Sequence, residues 1–385
     1  MNILFALHKQ AASNSGLHVT SLARELDALG HDCVVATPGR DGAPLAAPRL
    51  VGYADVQAQH RAGRLFRDGR GADIFHAWTP RGLVQAFHEE VGPRLGGALV
   101  IHLEDNEDEL VRSFLGASAW ARARAGLYRK NFPRSLMHPV AGRAFLGRAA
   151  GITVLIEALR DLAPPGIPAG VFWPAADDTV YYPRPPDPAL RQKLGLPAQT
   201  VLLAYTGNAH PANAQEVRSL YLATHLLNRR SLPARLVRTG SDAFGPDAQY
   251  QTWARTYALE LGHLEDRREL GALLAAADVL VQPGRPGPFN DYRFPSKLPE
   301  FFASGRPVVL PRTNIGLVAR HREDAFVLPE ATGPAIADAV AEITRDASLA
   351  QRLAQGARAF YEQNFSWHNA ARAVATFYQN VMQPA

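Results

Sequence analysis

The sequence predicts an α/β protein built from two Rossmann-like halves. Short apolar runs alternate with longer amphipathic ones twice along the chain, from Asn2 to Leu155 and again from Val201 to Leu310. Between the two lies a proline-dense segment, with Pro164, Pro165, Pro168, Pro174, Pro183, Pro185, Pro186 and Pro188, which resists regular structure and marks a boundary. At 385 residues the chain is long for one core and comfortable for two domains. The expected division is 1–175, 176–364 and an amphipathic closing helix within 365–385.

Composition narrows the setting. One cysteine, Cys33, excludes an internal disulfide framework and any Cys-based zinc site, and fits a reduced, cytoplasmic location. No metal-ligand cluster stands out, so no metal and no cofactor are expected. No apolar run approaches the ~20 residues of a membrane span. The opening MNILFALHK is too short for a signal peptide and reads as a strand. A net charge of +5 and a pI of about 9.4 leave nucleic acid, an anionic membrane surface or acidic small substrates as partners. No nucleic-acid signature is visible, which ranks nucleic acid last.

In the first half, Asn2–Leu7 reads as a strand, His8 to Gly16 as a loop, Leu17 to Leu29 as a helix ended by Gly30, and Cys33–Ala36 as a strand. That is a βαβ opening. Further strands are expected at Asp73–Ala77, Ala98–Leu103 and, as the last of this half, Gly151–Leu155. The run Glu104-Asp105-Asn106-Glu107-Asp108-Glu109 holds five carboxylates in six residues, which reads most simply as a solvated loop and helix start. The segment 111–148 has no acid, and Arg112, Arg122, Arg124, Arg129, Lys130, Arg134, Arg143 and Arg148 are interleaved with Phe114, Trp120, Tyr128 and Phe132. It reads either as a solvated face or as a surface for an anionic membrane or an acidic acceptor.

The second half restarts the alternation with strands at Val201–Tyr205, Ala234–Arg238, Leu259–Leu261, Ala277–Gln282 and Pro307–Leu310. The loops at their carboxyl ends, carrying Gly207, Asn208, Gly240 and His263, should converge on one crevice, where open α/β sheets bind ligands. The decisive stretch is Pro288 to Leu310, PFNDYRFPSKLPEFFASGRPVVL. A helix starting near Ser296 offers unpaired N–H groups to an anion, and Lys297 adds a mobile charge. Glu300, one turn on, suits the hydroxyls of a ribose. This spacing points to a nucleoside diphosphate: phosphates at Ser296 and Lys297, ribose at Glu300.

The same stretch resembles the donor-site signature of GT-B glycosyltransferases, specifically the retaining glycosyltransferase family 4 group. Phe294 matches its Phe, Glu300 its second Glu, and Gly305-Arg306-Pro307-Val308-Val309 its closing strand. Its first Glu is absent, with Tyr292 in that place and Asp291 or Asn290 as stand-ins. Trp173 to Pro183 partly resembles the family's interdomain segment.

The resemblance implies a fold of two Rossmann-like domains facing a central cleft, the C-terminal helix crossing back to the first. The first domain would hold the acceptor and the second the nucleotide sugar. It implies transfer of a glycosyl group from a nucleotide-diphosphate sugar to an acceptor hydroxyl, with retention and without metal, in cell-surface polysaccharide, glycolipid or glycoconjugate synthesis, at the inner face of the membrane. It places His102 beside the donor sugar, Gly16 near the donor phosphates, and Gly262 to Leu264, including His263, against the base. The family's first loop in the second domain supplies an Arg and a Lys to the diphosphate. Here that loop has neither, and Lys297, Arg293 or Arg238 would compensate, with Arg293 assisting the leaving group. Two alternatives stay open. The acids after His102 suit a nucleotide-sugar epimerase of the same fold. The missing Glu and missing cations suit a silent nucleotide-sugar-binding partner of a transferase.

Overall fold

The computed structural model describes residues 1–39, 49–128, 131–242 and 248–383, so Arg129 and Lys130 of the basic segment lie outside the described residues. The chain divides into two compact units. One is Met1–Pro174 with Ser366–Ala385, and the other is Ala175–Phe365.

The first unit holds seven parallel strands: β1 (Asn2–Leu7), β2 (Asp32–Thr37), β3 (Arg49–Gly52), β4 (Ile74–Trp78), β5 (Ala98–Leu103), β6 (Gly151–Val154) and β7 (Ala169–Val171). Their order is β3-β2-β1-β4-β5-β6-β7. Every residue of β1, β2, β4 and β6 is buried, as expected for parallel strands covered on both faces. The order reverses between β1 and β4, which makes their carboxyl ends the switch point.

The second unit holds β8 (Val201–Thr206), β9 (Ala234–Thr239), β10 (Ala258–Glu260), β11 (Val279–Val281), β12 (Val308–Pro311) and β13 (Phe326–Leu328), in the order β10-β9-β8-β11-β12-β13. Its core fills from both sheet and helices, with Leu203, Tyr205, Val281 and Val309 packed beside Leu220, Tyr221, Ile336 and Leu353. Among the described residues, no helix is long and apolar enough to cross a membrane.

Four expectations are corrected. The last strand of the first unit is β7, inside the segment read as linker. Its residues Ala-Gly-Val carry no proline, and Pro168 contributes only a carbonyl, which accepts from the Ile152 N–H at 2.9 Å. A helix, Pro188–Lys193, also forms there, with Asp187 as N-cap and proline in the first turn, where its missing N–H costs nothing. β3 and the helix Tyr53–Arg61 were not expected at all. The first helix starts at Asn14, three residues early, because the Ser13 hydroxyl accepts from the Gly16 N–H at 3.2 Å and caps it. Gly16 is therefore in a helical turn, and the space beside it is filled by the backbone of Ala11, whose carbonyl oxygen lies 2.3 Å from where a Cβ would stand.

The closing helix, Trp367–Met382, is capped by Ser366 and packs on the first unit. The Phe377 ring presses on the bare backbones of Gly151 in β6 and Gly170 in β7. A Cβ at Gly151 would lie 2.7 Å from Phe377 Cζ and 2.7 Å from Val381 Cγ1. Gly151→Val is therefore expected to overpack this seam and cost about 1–3 kcal/mol. Denaturant unfolding followed by tryptophan fluorescence should show a lower midpoint for the first unit. An unchanged midpoint would mean that the helix is not held there.

Candidate functional site

Each unit concentrates polar side chains at the carboxyl ends of its strands. In the first unit, Leu7, Trp78, His102 and Thr153 form one row across β1, β4, β5 and β6. The His102 ring stacks on Trp78 at 4.0 Å between centroids and tilts against Phe172 at 5.2 Å. Burial, with His76 and His18 nearby, holds its pKa well below the usual value, so the imidazole is neutral at pH 7. Its Nδ1 lies 2.9 Å from Thr153 Oγ1, and its Nε2 is buried with no hydrogen-bond partner among the described residues.

The acidic run after β5 is not a solvated loop. Glu104 accepts from Ser15 Oγ at 2.7 Å and from Trp78 Nε1 at 2.8 Å. Glu107, 3% exposed, takes Arg81 Nε on both oxygens at 3.0 Å. Arg81 also lies 3.5 Å from Asp105 and donates to His8 Nε2 at 2.8 Å. Burial raises the pKa of both Glu104 and Glu107, and Arg81 opposes it. Between these groups Thr79 takes a left-handed φ of 88°, strained for a β-branched residue, and its buried hydroxyl has no partner among the described residues.

In the second unit the loops after β8, β9 and β10 interlock. Gly207 follows β8 at φ 140°, and a Cβ at Gly240 would stand 2.6 Å from its carbonyl. The Gly240 N–H donates to the Gly262 carbonyl at 2.6 Å. Asn208 Oδ1 accepts from the Ser241 N–H at 2.8 Å and hydroxyl at 3.1 Å, which binds two of the loops together. His263 is exposed at the rim of this group.

Lys297 reaches across these loops. Its Nζ sits 4.8 Å from the Tyr205 ring centroid and 3.2 Å from where a Gly207 Cβ would stand. Burial first, then the Arg293 charge, pulls its pKa down to about 7, against the pull of Glu300 and Glu216. Arg293 is buried, with its guanidinium 4.6 Å over the Phe289 ring and its Nε without a hydrogen-bond partner among the described residues. Glu216 opposes both charges. Burial raises its pKa, Arg293 lowers it, Oε1 accepts from Asn290 Nδ2, and Oε2 has no partner among the described residues.

The helix expected from Ser296 begins later. It spans Leu298–Ala303 with Lys297 as its N-cap, and Lys297 offers no side-chain acceptor to the first turn. Six residues make a weak macrodipole, so the cationic character of the site rests on the Lys297 and Arg293 side chains. Ser296 is half-buried just ahead of the cap. Glu300 is half-buried, with Arg267 Nη1 3.5 Å from its Oε1, and burial raises its pKa. Arg238 is 2% exposed and already committed, to Glu260 at 3.0 Å, Asp242 at 3.3 Å and the Tyr221 hydroxyl at 3.0 Å. Its charge is not free for a ligand. Asp291 builds the loop, accepting from the Gly287 N–H at 2.8 Å and from the Thr313 hydroxyl, while Asn290 Nδ2 also donates to the Arg285 carbonyl at 2.8 Å. Sequence reasoning missed Glu216, Tyr205, Thr153 and His76. Only Thr153 carried a signal, since parallel strands ending together place it beside His102.

Residues 200–346 match the family Glycosyl transferases group 1. D-inositol 3-phosphate glycosyltransferase from Salinispora arenicola is 31% identical over 235 residues, 57% of this chain and 49% of that protein. The enzyme of the same name from Saccharomonospora viridis is 30% identical over 206 residues, 50% of this chain and 46% of that protein. The chain thus spans about half the length of the curated relatives it matches. HepE from Anabaena, solved in complex with UDP-glucose, aligns at a TM-score of 0.72 and 17% identity, covering 99% of this chain and 100% of that one. Sucrose-phosphate synthase from Thermosynechococcus elongatus aligns at 0.70 and 16%, covering 99% of each. At such identities the solved structures establish the fold alone. The chain has the GT-B fold, and its residues 200–346 form a glycosyl transferases group 1 domain.

Proposed function

We propose that the protein is a glycosyltransferase that moves a sugar from a nucleotide-diphosphate donor to an acceptor hydroxyl, with retention and without a metal. The observation that carries this is the pair Lys297 and Arg293, two partly desolvated cations held at the loops after β8 and β11 and opposed within the unit by the shared Glu216, with Glu300 acting on Lys297 as well. A diphosphate supplies the missing negative charge. When the bond from the anomeric carbon to the β-phosphate oxygen breaks, its electron pair stays on that oxygen. Fixed cations stabilise the growing charge more than the ground state. Glu300 takes the ribose hydroxyls, and Gly207, Gly240 and His263 line the nucleotide. In the first unit, His102 Nε2 and Thr79 Oγ1 are buried polar atoms suited to sugar hydroxyls.

Relatives named for D-inositol 3-phosphate glycosyl transfer and a fold neighbour solved with UDP-glucose support a nucleotide sugar as donor. Retention, and a role in cell-surface polysaccharide, glycolipid or glycoconjugate synthesis, rest on the resemblance of Phe294 to Val309. Engagement of Glu104 and Glu107 by Ser15, Trp78 and Arg81 favours transfer over epimerisation, which needs acids free to exchange protons. Leu127 and Phe114, 78% and 49% exposed, lie in the acid-free segment with Arg112 stacked 3.8 Å from the Trp120 ring, a composition that suits an anionic membrane face in the cytoplasm.

A thermal-shift screen with nucleoside diphosphates and nucleotide sugars tests the donor site. One nucleotide class should raise the melting temperature of the wild type and lose most of that effect with Glu300→Ala, since a ligand bound only by the folded state must stabilise it. Arg293→Ala should lower kcat/KM by about 10²–10³. No shift with any nucleotide would remove the donor-site reading.

Lys297 adds a pH signature. Its pKa is about 7 in the free protein, and a bound diphosphate raises it. Between the two values the complex holds a proton that the free protein lacks. Binding should therefore take up a proton just above pH 7, and affinity should fall as pH rises. Calorimetry in two buffers of different ionisation enthalpy should show the uptake in the wild type and not in Lys297→Met.

A further inference from the structure

Four buried side chains from three strands and the closing helix form one hydrogen-bonded line in the first unit. The Tyr378 hydroxyl lies 2.6 Å from His76 Nδ1. His76 Nε2 lies 2.9 Å from Thr153 Oγ1, and the same oxygen lies 2.9 Å from His102 Nδ1. All four residues are at most 1% exposed. The line ends at His102 Nε2, which is buried without a partner among the described residues.

Such a line has a direction. Burial keeps both imidazoles neutral, so each has one N–H and one bare nitrogen. Thr153 has a single hydroxyl proton and can donate to only one imidazole. If it accepted from both, that proton would be buried without an acceptor among the described residues, so it accepts from one and donates to the other. The Tyr378 end sets the sense, because its hydroxyl proton has His76 Nδ1 as its one acceptor among the described residues. If Tyr378 accepted instead, a buried O–H would be left unsatisfied. Tyr378 therefore donates to His76 Nδ1, His76 Nε2–H donates to Thr153 Oγ1, and Thr153 O–H donates to His102 Nδ1.

We propose that Tyr378, His76 and Thr153 are positioning residues that hold His102 as its Nε2–H tautomer, so that His102 meets a sugar hydroxyl as a hydrogen-bond donor and not as a base. The sugar contact rests on the function proposed above, whereas the tautomer does not. In this way the closing helix, far along the chain from β5, sets which nitrogen of His102 carries the proton.

The test uses the full chain labelled with ¹³C and ¹⁵N at histidine, with His102 assigned from the difference spectrum of His102→Gln. The wild type should show Nε2 protonated and Nδ1 bare at both His76 and His102. Thr153→Val should release His102 into a tautomer mixture, while Thr153→Ser keeps it fixed. With a nucleotide sugar, kcat/KM should drop about tenfold in Thr153→Val and recover in Thr153→Ser, the size of one lost hydrogen bond. Nucleoside diphosphate affinity should stay constant in both. If Thr153→Val does not fold, Tyr378→Phe removes only the proton at the head of the line and should loosen both tautomers. An Nδ1–H signature at His102 in the wild type, or an unchanged tautomer in the folded variants, overturns the proposal. A released tautomer with unchanged kcat/KM overturns the sugar contact and leaves the relay in place.

Discussion

A parallel sheet covered on both faces has no solvated side, and this constraint arranges everything else in the chain. Polar side chains cannot be spread along β1, β4 or β8, whose residues are buried throughout. They collect where the strands stop. At the carboxyl ends, strand register turns distance in sequence into adjacency, so that Trp78, His102 and Thr153 stand side by side. The few polar groups left within the sheets must then satisfy one another, as His76 does with Thr153 and Tyr378.

The same constraint sorts the charges into spent and unspent. Arg81 and Arg238 are both almost fully buried, and both are closed by carboxylates: Glu107 and Asp105 for one, Glu260 and Asp242 for the other. Buried charges need such partners, and these arginines hold their loops in place. Lys297 and Arg293 differ. Each lies against an aromatic face, Tyr205 or Phe289, and the carboxylate near both, Glu216, is shared. An aromatic face solvates a cation weakly compared with water or a carboxylate. A pair left in that condition is poised for an anion from outside.

The sequence was most readable where one period decides the element. Ala98–Leu103 runs where its apolar pattern places it, and the Asn2–Leu7 opening is a strand. It was least readable where the deciding partner lies far away. β7 exists because β6 offers it a ladder, and a three-residue Ala-Gly-Val run among prolines shows nothing of that. β3 is an edge strand of four residues, held by β2. The acidic run reads as solvated because Ser15, Trp78 and Arg81, which engage it, stand well before it in the chain. Local composition also places the 298–303 helix two residues early, since Ser296 looks like a cap and a proline at 299 is compatible with either start.

Among candidate site residues, the legible ones were those whose chemistry is rare at their position. A lysine beside a short helix after a buried strand, and a histidine at the end of one, both stand out. Whether a charge is available to a ligand depends on its partners, and these are long-range facts. Arg238, near the end of β9, and Arg293, in the loop after β11, look alike as isolated arginines. Glu260 closes the first from 22 residues away, whereas Glu216, 74 residues from Asn290, is held by that amide and divides its charge between Arg293 and Lys297. The absence of an Arg and a Lys from the loop after β8 therefore does not empty the site of cations. Gly207 leaves room for Lys297 to lie across that loop from the other side of β11, so the positive charge is supplied from a later segment to the same place.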